Sequence, residues 1–284
     1  MRMRFTSCFL TSVVMPLSGG ALAAQDEPAP DPSPRVVVVP IEGQVNSSTV
    51  ILTRRALKEA KALGVSHVIF RFDTPGGLAS SMREVKSIVR AMDDYGITPL
   101  AFVEHRALSA GAFLAMACSE IYMRPGTEIG DATPIQIGPL GVRDIPKDAR
   151  RKVISAFQAE ARSVLELRGT LSTQTRLVVE AFVDPDLETF QVSYEEGGLE
   201  VPFELVDRAG LEALQQKQGV TFVGDPQALP RPLTLTAEEA ERVGLARSIV
   251  DSLQALVEDE LNLSMNQVGH LQPSWADNLA NWLN

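Results

Sequence analysis

The stretch AFVEHRALSAGAFLAMACSEIYMRPGTEIG, residues 101–130, decides how the chain is read. Residues 97–103 make an apolar, β-like run. A polar turn follows, then Ser109 among small residues (Ala110, Gly111, Ala112), then an apolar helix-like run to Cys118. A serine at a strand-to-helix transition can sit exposed at a helix N-terminus, where backbone N–H groups and the helix dipole stabilise developing negative charge. The plainer reading is an ordinary corner of an α/β protein. A second corner, FDTPGGL at residues 72–78, also follows a strand-like run. Its Gly76-Gly77 pair offers a second set of backbone donors.

Outward from these corners, buried-strand runs alternate with amphipathic helices. Strands are expected at 35–41, 67–72, 97–103 and 120–123, and helices at 47–63, 79–92 and 110–118. Continuous apolar runs such as RVVVVPI belong to strands buried on both faces, and this alternation predicts a mainly parallel sheet with flanking helices. In such sheets ligands collect beyond the carboxyl ends of the strands. Both corners fall on that edge, which favours the chemical reading of Ser109. Further on, a loop rich in Gly, Pro and Thr spans 124–140. Helices are expected at 144–168, 171–182 (capped by Ser172), 234–243 and 249–261. Thr236 with Glu239 three residues later forms a capping box. Residues 183–203 mix turn signals with strand-like alternation, and 204–223 are ambiguous.

The chain has 284 residues and a formal net charge of −10. That charge argues against nucleic acid as the main partner, since phosphate binding needs clustered Lys and Arg. His67, His105 and His270 are scattered, and with two cysteines there is no metal-ligand spacing, so no cofactor or metal is expected. The first residues carry Arg2 and Arg4, an apolar run at 5–17 and an Ala21-Leu22-Ala23 cleavage pattern, as in a secretory signal peptide. The expected division is a signal peptide at 1–24, a Pro-rich acidic linker at 25–34, the domain proper at 35–262 and an amphipathic tail at 263–284. In that tail Trp275, Leu279 and Trp282 share a helical face that suits membrane contact, a partner groove or docking on its own domain. Cys118 lies on the apolar face after Ser109 and reads as a small core residue.

A serine hydroxyl needs a neighbour to take its proton. His105 reads as a rim residue. Lys147, beside Pro146 and Asp148, reads as solvated. Lys152 precedes Val153-Ile154, where a helix turns from polar to apolar; a lysine there is either a solvated face residue, the commoner case, or is desolvated, with a lowered pKa and a neutral amine available as base.

The motifs VVVVPIEGQV (36–45), DTPGGL (73–78), ALSAGAFLAMACSEIYMRPGTEIGDATP (107–134), AFVDPDLE (181–188) and LTLTAEEAERVGLA (233–246) occur together and in order. With Lys152 and the helix ending LELRG (165–169), they resemble the N-terminal protease domain of the NfeD family. These are membrane-associated serine proteases of the Clp protease/crotonase-like fold, related to signal peptide peptidase A. The resemblance spans roughly 35–284. It implies a mainly parallel sheet of repeated β-β-α units with flanking helices. It implies a Ser109–Lys152 dyad, an oxyanion hole from the N–H groups of Gly76, Gly77 and Ala110, and an acyl-enzyme on Ser109. It further implies an exported, periplasmic or extracytoplasmic, homo-oligomeric endopeptidase that cleaves apolar segments of stomatin-like membrane proteins. A catalytically weak membrane-organising module of the same fold is the alternative. The approach to Ser109, Glu104-His105-Arg106-Ala107-Leu108, is bulkier and more charged than the family pattern, which is expected either to alter the substrate pocket or to lower activity.

Overall fold

A computed structural model describes residues 34–138, 141–143 and 146–273 of the chain. The signal-like segment, all but Pro34 of the linker, and Trp275, Leu279 and Trp282 lie outside these residues. The elements run β1 (Val36–Val45), α1 (Ser47–Leu63), β2 (His67–Gly77), α2 (Ala79–Ala91), β3 (Thr98–Leu108), α3 (Ala110–Ala117), β4 (Glu120–Met123), β5 (Glu128–Gly130), β6 (Gln136–Gly138), β7 (Gly141–Arg143), α4 (Lys147–Arg168) and α5 (Thr173–Val183). The rest are β8 (Thr189–Glu196), β9 (Leu199–Asp207), α6 (Arg208–Gln216), β10 (Val220–Phe222), β11 (Gln227–Ala228), β12 (Thr234–Thr236), α7 (Ala237–Arg242), β13 (Ser248–Ile249), α8 (Leu253–Ala255) and β14 (Val268–His270).

The main sheet has the path β12-β5-β3-β2-β1-β14, with β4 pairing both β3 and β13. Its pairings are parallel except β12 on β5. The apolar runs alternate sides. Val37, Val39, Val68, Phe70, Ala101 and Val103 face one core. Val36, Val38, Ile69, Leu100 and Phe102 face a second one, closed by Val250, Leu256 and Val257. Each such Val, Leu, Ile or Phe, once fully buried, contributes about 1.5–3 kcal/mol, so both faces hold the sheet.

The three central strands are longer than their apolar runs. Pairing shifts register between Glu42 and Gln44 on β1 and between Phe72 and Thr74 on β2, and then resumes. On β3 the residues up to Val103 pair β4, while Arg106 to Leu108 pair β5. Each long strand therefore has two pairing stretches followed by a helix, which is the expected β-β-α unit drawn as one bent strand. The second stretches carry charge on the second face. Arg71 bridges Glu42 and Glu104, and Arg106 pairs with Asp73 at 3.5 Å.

Several helix limits follow local chemistry. Asn46, rather than Ser48 or Thr49, caps α1, with Thr49 completing the box. Ser172 caps α5 as expected, and Thr236 with Glu239 caps α7. The expected 249–261 helix is shorter: Ser252 caps it, and a π-helical turn, Leu256–Glu260, ends it. The strand-like stretch 183–203 and the ambiguous 204–223, with Gln227–Ala228, form a four-stranded antiparallel sheet of β8 to β11 with α6. Beyond residue 262, β14 pairs with β1 in parallel, so the main sheet extends into the segment assigned to the tail.

Candidate active site

The carboxyl ends of β1, β2 and β3 lie side by side and carry the two corners. Ser109 sits between β3 and α3 at φ 53°, ψ −119°. That is the first central position of a type II′ turn, about +60°, −120°, normally glycine. A non-glycine residue there stores roughly 1–3 kcal/mol of strain. Three backbone bonds hold it. Its N–H donates to Gly130 O at 2.9 Å, and its carbonyl accepts from Ala112 N at 3.0 Å and Phe113 N at 3.4 Å. The corner aims the half-buried side chain away from capping its own helix. Among the described residues nothing hydrogen-bonds Ser109 Oγ.

Behind Ser109, all eight residues of α3 are buried. α3 packs on β2 and β3 and against α2 and α4. A helix so placed is apolar all round, which explains the run AGAFLAMA. Arg168, at the end of α4, closes its far end by donating to Met116 O at 3.1 Å and Ser119 O at 3.2 Å. These carbonyls have no intrahelical partner, and a cation suits the negative end of the helix. Burial lowers the pKa of Arg168.

The glycine corner fits against this serine with no room to spare. Gly76 has φ 105°, and a Cβ there would stand 2.4 Å from Ser109 Cβ. Thr74, buried beneath, holds the turn: its hydroxyl donates to Gly43 O and accepts from Gly76 N at 3.0 Å. Its methyl fills the space over Gly111, where a Cβ would come within 2.4 Å. The Gly76 N–H, expected as an oxyanion donor, is thus already engaged. Gly77 and Ala110 are the remaining expected donors, and Ala110 opens α3, where N–H groups lack helical partners.

A cavity of about 510 Å³ opens in front of the two corners. Gly76, Gly77, Ser109 and Ala110 line one side, and Leu78, Met82, Phe113, Ile135, Val153 and Phe157 supply apolar walls. Phe113 and Phe157 meet edge to face at 5.8 Å, joining α3 to α4. None of residues 104–108 lines the cavity. Of the two expected effects of the charged approach, an altered pocket is not seen: Glu104 and Arg106 take part in the cross-strand ion pairs.

Lys152 is exposed, makes no hydrogen bond to Ser109 among the described residues and does not line the cavity, although its neighbour Val153 does. Its position at the border of the helix face left two readings open, a desolvated base or a solvated face residue, and the second is the one seen. In this state α4 turns Val153 and Ile154 inward and leaves Lys152 in solvent. His105 is also exposed. Asp131, beside Gly130, has a pKa raised by burial but does not line the cavity.

Cys118 is buried at the end of α3, and burial pushes its thiol up to about 12. At pH 8 the thiolate fraction is then on the order of 10⁻⁴. In a Cys8→Ser chain, Cys118 should resist a thiol-reactive disulfide reagent in the native protein and release one equivalent of thiolate in denaturant. Fast native labelling would contradict its placement in the core.

Sequence reasoning missed Thr74 and Arg168. A threonine two residues before a glycine is an available turn signal. Arg168 acts on carbonyls about 50 positions away and has no local signature.

Residues 35–200 match the family model described as NfeD1b, N-terminal domain. The chain is 26% identical over 279 residues to the membrane protein NfeD1b of Bacillus subtilis, covering 98% of this chain and 52% of that protein. It is 28% identical over 254 residues to the membrane-bound protease PH1510 of Pyrococcus horikoshii, covering 84% of this chain and 54% of that one. The chain thus spans about half the length of the curated relatives it matches. Among solved structures it is similar to 1510-N, described as a membrane-bound stomatin-specific protease. A lysine-to-alanine mutant of 1510-N with a substrate peptide aligns at TM-score 0.61 and 21% identity, covering 88% of this chain and 98% of that one. A serine-to-alanine mutant of 1510-N aligns at TM-score 0.58 and 22% identity, covering 85% and 99%. The solved structures share the mainly parallel α/β fold, and the family match, which spans more than half of the chain, establishes that this chain belongs to the NfeD1b N-terminal domain family.

Proposed function

We propose that the chain is a serine endopeptidase whose nucleophile is Ser109. The observation that carries this is a serine held in a strained corner at a buried helix N-terminus, its hydroxyl without a hydrogen bond among the described residues, on the wall of an apolar cavity. Strain of this kind collects at functional sites, and a serine on a sharp strand-to-helix turn is presented for attack. Ser109 Oγ attacks the scissile carbonyl. The N–H groups of Gly77 and Ala110 receive the oxyanion. Lys152, as a neutral amine, takes the hydroxyl proton, gives it to the leaving amine, and then activates the water that releases the acyl group. Lys152 must first turn inward with the start of α4. Its neighbour Val153 at the cavity wall supports that movement.

The apolar cavity suits an apolar segment of a membrane-associated protein. The description of 1510-N as stomatin-specific supports a stomatin-like substrate. Export through residues 1–24 and membrane contact through Trp275, Leu279 and Trp282 complete the reading, supported by sequence pattern and by relatives described as membrane proteins. Among the described residues no helix is long and apolar enough to cross a membrane.

Hydrolysis of an apolar peptide, followed by mass spectrometry, tests the reading: Ser109→Ala should lower kcat by about 10³-fold or more. The outward Lys152 favours a second reading, a binding module of the same fold. Equal and negligible cleavage by the wild type and Ser109→Ala would leave that reading standing.

A further inference from the structure

Among the described residues lining the cavity, one carries a charge: Arg83 of α2. Its side chain is 50% exposed, yet it is held on two sides. Nε donates to Glu160 Oε2 of α4 at 3.1 Å. The guanidinium also stacks over the Phe157 ring, 5.1 Å from its centroid, within the range of a cation–π contact. Glu160 does not neutralise it, because the same carboxylate also pairs with Lys86 Nζ. Glu160 and Lys86 are each only 16% exposed. One anion between two cations leaves the cluster one positive charge in excess. Among the described residues nothing accepts from the two terminal amino groups of Arg83.

A free surface arginine loses much rotamer entropy when it binds an anion. This one is already oriented, and a guanidinium with its Nε engaged still presents a planar pair of N–H donors that matches a carboxylate. We infer that Arg83 is a specificity-determining residue that grips a carboxylate of the bound peptide beside the apolar side chain taken by the cavity. The inference rests on the peptidase reading of the same cavity. The carboxylate belongs either to an Asp or Glu side chain within the peptide or to the C-terminus of a protein chain. Glu160 is a positioning residue that keeps the guanidinium over Phe157.

The test uses the full chain carrying Ser109→Ala, so that binding is read without turnover, and fluorescent apolar peptides differing by Glu against Gln, or by a free against an amidated C-terminus. Fluorescence anisotropy should show about tenfold tighter binding for the carboxylate peptide at low salt, narrowing as salt rises. Arg83→Gln should abolish the preference, and Arg83→Glu should reverse it toward a Lys-containing peptide. Thermal unfolding verifies that both variants are folded. Loss of the preference on Gln substitution assigns the grip to a side chain, and loss on amidation assigns it to the C-terminus; either supports the inference. A preference that survives in Arg83→Gln, or no binding of any peptide, overturns it. Hydrolysis by the chain with Ser109 intact separates the two readings. Cleavage without carboxylate preference sinks the role of Arg83 and leaves the peptidase. Carboxylate-dependent binding without cleavage does the reverse.

Discussion

Replacing Ser109 with glycine is expected to make the protein more stable while abolishing hydrolysis. Ser109 sits at φ 53°, ψ −119°, where a Cβ is penalised and glycine is not. Of the roughly 1–3 kcal/mol stored there, part is offset by the greater freedom of glycine in the unfolded chain. A net gain of about 1 kcal/mol remains, or about 2–4 °C in Tm for a domain of this size. Ser109→Ala is the reference, because it removes the hydroxyl and keeps the Cβ. It should be as inactive as the glycine variant without the gain in stability. Thermal unfolding of the two variants isolates the backbone term. A glycine variant less stable than the alanine variant would show that the corner is unstrained, and would remove the main structural reason for singling out Ser109.

Gly77→Ala should have the opposite effect on stability and the same effect on activity. A Cβ at Gly77 would stand 2.1 Å from Val45 O and 2.5 Å from Val45 N. Those atoms are main chain of β1, in register with Gly77 itself, so no side chain can rotate away. The ends of β1 and β2 must part, and the corner that supplies an oxyanion donor moves with them. A loss of about 3 kcal/mol or more is expected, measured by urea unfolding, with hydrolysis falling alongside. Gly43→Ala is the control: its φ is 66° but nothing lies within 4 Å of the added atom. It should lose only the left-handed backbone term, about 1 kcal/mol.

The alternation of strands and helices was legible because 36–41, 67–72 and 98–103 are buried on both faces and leave continuous apolar runs. What lay beyond those runs was not. Past Ile41, Phe72 and Val103 the strands shift register, pair again, and place Glu42, Asp73, Glu104 and Arg106 on an open face. Charge and broken period made these stretches look like turns. β14 is three residues, Val268–His270, bonded to a strand at the other end of the chain, and no local pattern announces such a pairing. At the site, the small residues around Ser109 and the Gly76-Gly77 pair were readable because close approach excludes larger side chains. The direction of Lys152 was not: one residue of helix is about 100° of rotation, enough to leave Lys152 in solvent while Val153 meets the cavity.

The central claim is that Ser109 is a nucleophile activated by Lys152. A fluorophosphonate probe, which phosphonylates an activated serine, tests it most directly when labelling is followed by intact mass and the site mapped by peptide digestion. The wild type should gain one adduct, on Ser109. Ser109→Ala should gain none, and Lys152→Ala should label about 10²-fold more slowly or worse. Labelling of Lys152→Ala at the wild-type rate would contradict the dyad, and a folded wild type that takes no adduct at Ser109 would contradict the nucleophile.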